Sequence, residues 1–252
     1  PPTTRRSSSA ASDVYKRQNR RGTAVTFCPD PEIFGEKPYF RPSTLYRMAR
    51  SKAYLFAGVE IRWRCEPALL ANDDPVPAEA VLHYPGGLSD YLNDATADTT
   101  LLVSTPFADL VELDGQKFEW AITWLGAGEG GFFDSYCNTV PTPSGGTHEA
   151  GFRQAITRAL RSFGDLAGNR KAAEITADDV FAGTAVMLSV FLRDPQFQGQ
   201  TKDRLVSADA TRQTEQAARD RFEQWLAADA ARANFLLDAA IERAEERKRR
   251  RK

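Results

Sequence analysis

The nine residues "TAVMLSVFL", 184–192, constrain this chain more than any other stretch. Only Thr184 and Ser189 in it carry a polar side chain. A run that is apolar on both alternations has no face to offer to water, so it reads as a central strand covered on both sides. It is far shorter than the roughly 20 residues that a membrane helix needs. No signal peptide with an apolar centre opens the chain, and a cytosolic protein is expected. With 252 residues, 42% hydrophobic and 27% charged, the chain suffices for one large domain or two small ones.

The flanking patterns supply the rest of a sheet. "GTAVTFCPD" (22–30) reads as a short strand ended by Pro29. "PSTLYRMARSKAYLF" (42–56) has helical spacing, with Leu45, Met48, Ala49, Lys52 and Leu55 on successive turns and Ser43 as N-cap. In "GVEIRWR" (58–64), Val59, Ile61 and Trp63 share one face of a half-buried strand. A second strand follows at 78–84, and "GGLSDYLNDA" reads as a short helix. "FADLVELDGQKFEWAITWL" (107–125) is a hairpin, because Asp114-Gly115 is a strong tight-turn pair. A glycine-rich turn leads into a strand at "FFDSYCNTV" (132–140).

The clearest loop-to-helix junction is "PTPSGGTHEAGFRQAITRALRSF" (141–163). Thr147 is the expected N-cap, Glu149 favours the positive helix end, and Phe152, Ile156, Ala159, Leu160 and Phe163 form one apolar face. The glycine pair reads as turn geometry in preference to an anion site, and His148 as a capping or packing residue. Thr176 and Asp179 resemble a capping pair before the apolar strand. From Ser207 onward the sequence has no Gly or Pro and reads as helix.

Several chemistries are unsupported. Cys28, Cys65 and Cys137 have no CxxC spacing and read as small buried apolar residues, and two histidines are too few for a histidine metal site. There is no P-loop, GxGxxG, GxSxG or HExxH. The net charge of -1 hides basic ends: residues 1–21 carry +5 and 242–252 carry +4, which leaves a body near -10. Such a body is no basic nucleic-acid platform. Three readings compete for the opening 21 residues, a transit peptide, a disordered basic tail and translated adaptor sequence; the last is favoured, and a disordered, non-native tail is expected.

The polar loop "DPQFQGQTKDRL" (194–205) leaves the end of the apolar strand. A lysine there is a mobile point charge and glutamines add amide donors, a set suited to a phosphate oxygen but equally to solvent.

Together with "GTAVTFCPDPEIFG", "RSKAYLFAGVEIRW", "YPGGLSDYL" and "YCNTVPTPSGGTHEAGFRQA", this loop resembles the B subunits of bacterial type IIA DNA topoisomerases. The B subunits of topoisomerase IV are the nearer branch and those of gyrase the other. The resemblance runs in order from about Gly22 to the C-terminus. It implies a transducer domain at 22–206 and C-terminal helices at 207–252 leading as struts toward a TOPRIM domain. The fold it implies is α+β, a mixed sheet with helices on one face and a left-handed βαβ crossover, followed by long C-terminal helices. That hand is an exception to the usual rule.

The ATPase motifs and the TOPRIM acidic residues of the family are not found here, so an internal piece, inactive alone, is expected. In the family the lysine of a QTK loop contacts the γ-phosphate of ATP held by the neighbouring ATPase domain. Carried over, this assigns Lys202 to the phosphate and Gln200 beside it. Implied cofactors are ATP, with Mg in the ATPase domain and Mg at TOPRIM. Implied partners are DNA, the topoisomerase's A subunit and a second copy of the B subunit, without a membrane. The basic end "ERKRRRK" is open to two readings, a DNA contact or a solvated helix end. The rivals are a small-molecule kinase of the same superfold, which needs a glycine-rich nucleotide loop of its own, and a non-enzymatic interaction module.

Overall fold

A computed structural model describes residues 22–35, 40–70 and 75–250. The chain divides into two compact units, Pro1–Arg41 and Pro42–Lys252. The basic opening at 1–21 lies outside the described residues.

In the first unit, residues 22–30 form no strand, contrary to the sequence reading. A strand is a ladder shared with a neighbour, and no described residue pairs with this segment. One helical turn follows, α1 (Pro31–Phe34), whose first amides are met by Asp30 accepting from Glu32 N at 2.9 Å. Phe27 and Phe40 meet edge to face, 5.3 Å between ring centres.

The second unit is built on a five-stranded mixed sheet. Its strands are β3 (Phe107–Leu113), β4 (Gln116–Trp124), β5 (Phe132–Cys137), β6 (Val140–Pro141) and β7 (Thr184–Phe191), in the order β3-β4-β7-β5-β6. The apolar run is the central strand, buried from Thr184 to Val190, antiparallel to β4 and parallel to β5. The β3–β4 hairpin turns through Asp114 and Gly115, with φ of 52° and 71°, the left-handed pair that a two-residue hairpin requires.

Alternation sends successive side chains of β4 and β7 to opposite faces. Trp120, Ile122, Trp124, Val186, Leu188 and Val190 face a core closed by α4 (Thr147–Leu166), α5 (Ala177–Phe181), α6 (Ala208–Ala227) and α7 (Ala230–Arg250). Phe107, Trp124, Phe222 and Trp225 stack within it, their ring centres 5.0–6.1 Å apart. The helical stretch after Ser207 breaks at Ala228–Asp229, where Asp229 caps the next helix by accepting from Arg232 N at 3.0 Å. Leu226, Leu236, Leu237 and Ile241 are buried, so α6 and α7 lie down on the domain rather than standing away from it as struts.

The opposite face is covered too, and the sheet is a filling between layers rather than one-sided. Ala121, Tyr136, Ala185 and Met187 meet α2 (Pro42–Leu55), α3 (Leu88–Ala95) and the antiparallel pair β1 (Glu60–Arg64) and β2 (Glu79–His83). On α2 the buried residues are Ala53, Tyr54 and Leu55, while Met48 is exposed. The helix starts at Pro42, whose fixed φ suits the first turn, and Ser43 lies inside that turn rather than capping it. The βαβ crossover, to which the resemblance assigns a left hand, is β5–α4–β7.

Candidate functional site

β7 delivers the chain to Leu192, and the segment after it turns back through two short strands, β8 (Phe197–Gln198) and β9 (Arg204–Leu205). Leu205 is fully buried and Phe197 packs on the same core, so the base of this small hairpin is anchored. Its tip is residues 199–203. Gly199 has φ 75° and Lys202 φ 60°. The second is a left-handed conformation that a non-glycine residue holds only when its surroundings impose it. Thr201 Oγ1 donates to Asp203 Oδ2 at 2.7 Å, tightening the tip from within.

The surroundings are the loop before α4. Ser144 N donates to Asp203 O at 3.0 Å, Leu205 N donates to Gly145 O at 3.1 Å, and Gly146 bridges Leu205 in parallel fashion. Arg204 Nη1 adds a bond to Ser144 O at 3.2 Å. Gly145 and Gly146 have φ of 65° and 142°. A Cβ on Gly146 would collide with Leu205 O, so only glycine allows the two backbones to meet. The glycine pair therefore serves turn geometry, as the sequence suggests.

That packing moves the helix start by one residue from the expected position. Gly146 is the N-cap and Thr147 is the first helical residue, its carbonyl accepting from Thr211 Oγ1 at 3.0 Å. His148 is a packing residue, wholly buried, with Nε2 3.1 Å from Thr142 Oγ1. Burial without a charged partner pushes its imidazole down to about 4. Thr142 Oγ1 is in turn 2.7 Å from Ser135 Oγ, which ties the loop to β5.

Gln200 and Lys202 thus stand two residues apart on one exposed tip. Among the described residues neither side chain has a hydrogen-bonding or ionic partner; the Lys202 ammonium lies 5.8 Å from the centre of the Phe197 ring. A rigidly based tip carrying one unneutralised cation and one amide can meet an anionic oxygen without first breaking an internal bond. No group of three or more potential metal-ligating side chains occurs among the described residues.

Sequence reasoning missed the residues that support this tip. Asn138, in the β5–β6 turn, holds Leu192 at both backbone atoms. Lys52 reaches from α2 to Thr139 O at 2.9 Å and Thr139 Oγ1 at 2.8 Å. Their contacts cross 54 and 87 residues of sequence, which no local pattern reports. The cysteines also differ from expectation: Cys137 is buried, with its thiol pushed up to about 12, but Cys28 is exposed and Cys65 half-buried. The short apolar segments around them offer too little covering structure.

At the basic end, Arg247 is committed to Asp179, donating from Nε at 3.0 Å and Nη2 at 2.8 Å, and to Glu174 O at 3.1 Å. Asp179 is also the capping partner of Thr176 N, at 2.7 Å. These bonds hold its carboxyl below the usual range against the opposing effect of burial. Lys248 pairs with Glu174. Arg247 and Lys248 thus fasten α7 to the segment around α5, while Arg249 and Arg250 stay exposed.

Residues 87–252 match the family model described as DNA gyrase B. The chain belongs to the DNA gyrase B family. It is 50% identical over 238 residues to the DNA topoisomerase 4 B subunit of Caulobacter vibrioides, covering 92% of this chain and 34% of that one. Identity to the DNA topoisomerase 4 B subunit of Bartonella bacilliformis is also 50%, over 95% of this chain and 34% of that one. The chain therefore spans about a third of the length of these relatives. Among solved structures, the 43K ATPase domain of Thermus thermophilus gyrase B, in complex with an aminocoumarin, is similar with a TM-score of 0.70 and 28% identity, over 88% of this chain and 58% of that one. No helix among the described residues is long and apolar enough to cross a membrane.

Proposed function

We propose that this chain is the transducer region of a type IIA topoisomerase B subunit, with residues 22–206 as the transducer and 207–252 leading toward a TOPRIM domain. Its work is to couple ATP binding and hydrolysis, in an ATPase domain outside this chain, to DNA strand passage. The 50% identity to topoisomerase 4 B subunits favours decatenation and relaxation over supercoiling. DNA, the topoisomerase's A subunit and a second copy of the B subunit are the partners this reading requires, and the cell compartment is the cytoplasm, at the nucleoid.

The observation that carries the proposal is Lys202, held at φ 60° on a clamped tip with its ammonium free for an external anion. The residues fit a phosphate: Lys202 supplies the charge and Gln200 a neutral donor. The Mg that accompanies ATP, and the Mg of TOPRIM, belong to residues beyond this chain. When bound, ATP supplies the terminal phosphate whose loss is the signal. A lysine that touches that phosphate interacts differently with the nucleotide before and after hydrolysis. The base of the hairpin, bonded to the loop before α4 and packed on the core, is the route by which the difference reaches the sheet.

The test is Lys202→Ala in a longer protein that includes the ATPase domain. ATP turnover should fall by about 10²-fold, the usual cost of removing one transition-state donor. Unchanged hydrolysis together with unchanged strand passage would sink the phosphate contact. Gln200→Ala should have the smaller effect, since it removes a dipole and not a charge.

A further inference from the structure

The tip that carries Lys202 is anchored at both ends, and the two anchors differ in kind. At its far end the anchor is backbone, from β9 to the loop at 144–146. At its near end the first anchor is a side chain, at Leu192, ahead of Gln196, whose carbonyl accepts from Val206 N at 2.8 Å and whose N donates to Ser207 Oγ at 2.8 Å. Asn138 Nδ2 donates to Leu192 O at 2.9 Å, and Leu192 N donates to Asn138 Oδ1 at 2.8 Å. The amide thus completes both backbone bonds of the residue that follows β7, where the parallel ladder with β5 has ended. Asn138 N itself donates to Val190 O at 2.9 Å, so one residue holds the chain on both sides of Phe191.

Its own backbone is unusual. Asn138 and Thr139 have φ of 49° and 65°, and Asn is among the few side chains that enter this region readily. The turn is pinned from the other layer by Lys52 Nζ on both oxygens of Thr139. Such a turn presents the amide in one orientation. Among the twenty side chains only an amide of this length offers one donor and one acceptor to a single residue's two backbone groups.

We propose that Asn138 is a positioning residue for Lys202: by fixing Leu192 it sets where the loop 193–206 begins, and hence where the ammonium stands. The inference rests on the reading of Lys202 given above. It requires Asn138 to act on turnover only through that lysine.

Asn138→Gly is the informative change, because glycine keeps the left-handed backbone and removes only the amide. In the longer protein with its ATPase domain, turnover should fall by roughly 10-fold or more, as expected for a misplaced group, while KM for ATP stays unchanged. In the Lys202→Ala background the same change should have no additional effect on turnover. Asn138→Asp, which keeps the acceptor for Leu192 N but faces Leu192 O with a second oxygen, should resemble Asn138→Gly. Hydrogen exchange at Leu192 and across 193–206 should quicken in Asn138→Gly, with a cooperative unfolding transition retained.

Turnover of Asn138→Gly equal to the parent, with Lys202→Ala impaired, would overturn the inference and spare the phosphate contact. A loss that multiplies with that of Lys202→Ala would overturn it as well, because Asn138 would then act elsewhere. Lys202→Ala with full turnover would remove the reading beneath it.

Discussion

The two faces of the central sheet bury side chains of different chemistry. One face, under α4–α7, is filled by interlocked rings and branched aliphatics around Trp124, Phe222 and Trp225. The other, under α2 and α3, carries four tyrosines, Tyr54, Tyr84, Tyr91 and Tyr136, with ring centres 4.2–6.1 Å apart. Arg50 lies at their margin, 4.7 Å from the Tyr91 ring centre and donating to Tyr84 Oη at 3.1 Å. The first face depends on shape, the second also on hydroxyls that must find partners. β4 shows the division within one strand, Trp120 and Trp124 turning one way and Ala121 the other. Small residues on the second side let α2 and α3 approach, and tyrosines fill the remaining space.

Breaking the shape-dependent face should cost most. Trp124→Ala removes a fully enclosed ring and the bond from Nε1 to Val180 O, and should lower unfolding free energy by about 3–5 kcal/mol in urea titration. A loss below about 1 kcal/mol would mean that this face repacks and that the contrast is empty.

Next comes an ionisable group enclosed at the edge of that face, His148. Unfolded, His148 titrates near 6.5; folded, near 4. The unfolded chain therefore binds more protons between those values, so its contribution is complete above pH 6.5 and is lost as pH falls toward 4, by about 3 kcal/mol in all. Urea unfolding of His148→Gln should show a flatter pH dependence across that window than the parent, and identical slopes would refute the buried neutral imidazole.

The smallest change belongs to the tyrosine face. Tyr54 and Tyr136 share a 2.6 Å hydroxyl bond, and burial first raises both, Tyr136 to about 12, so they remain neutral. Tyr54→Phe leaves the rings in place and one buried hydroxyl without its partner, for a loss of about 1–2 kcal/mol. Equal losses in Tyr54→Phe and Trp124→Ala would erase the distinction between the faces.

Local chemistry made much of this fold legible. Asp114-Gly115 announces its turn because few residue pairs accept two left-handed conformations in succession, and the run at 184–192 announces its burial because it has no polar side. Pairing was less visible: nothing in "FFDSYCNTV" distinguishes the parallel partner of β7 from an antiparallel one. Thr147 read as a cap because its hydroxyl is a good acceptor, yet a backbone 58 residues away at Leu205 places Gly146 there instead. The tip of the loop was readable from Gln200 and Lys202 themselves, whereas the anchors at Asn138 and Gly146 act through contacts distant in sequence.

The fastening of Arg247 to Asp179 has a mechanical side. Asp179 lies on α5, just before β7 begins, while the loop of Lys202 leaves where β7 ends. Eight residues of strand at about 3.3 Å each separate them by roughly 26 Å. The tip and the last turns of α7 are therefore attached near opposite ends of one strand, which β4 and β5 hold on both sides.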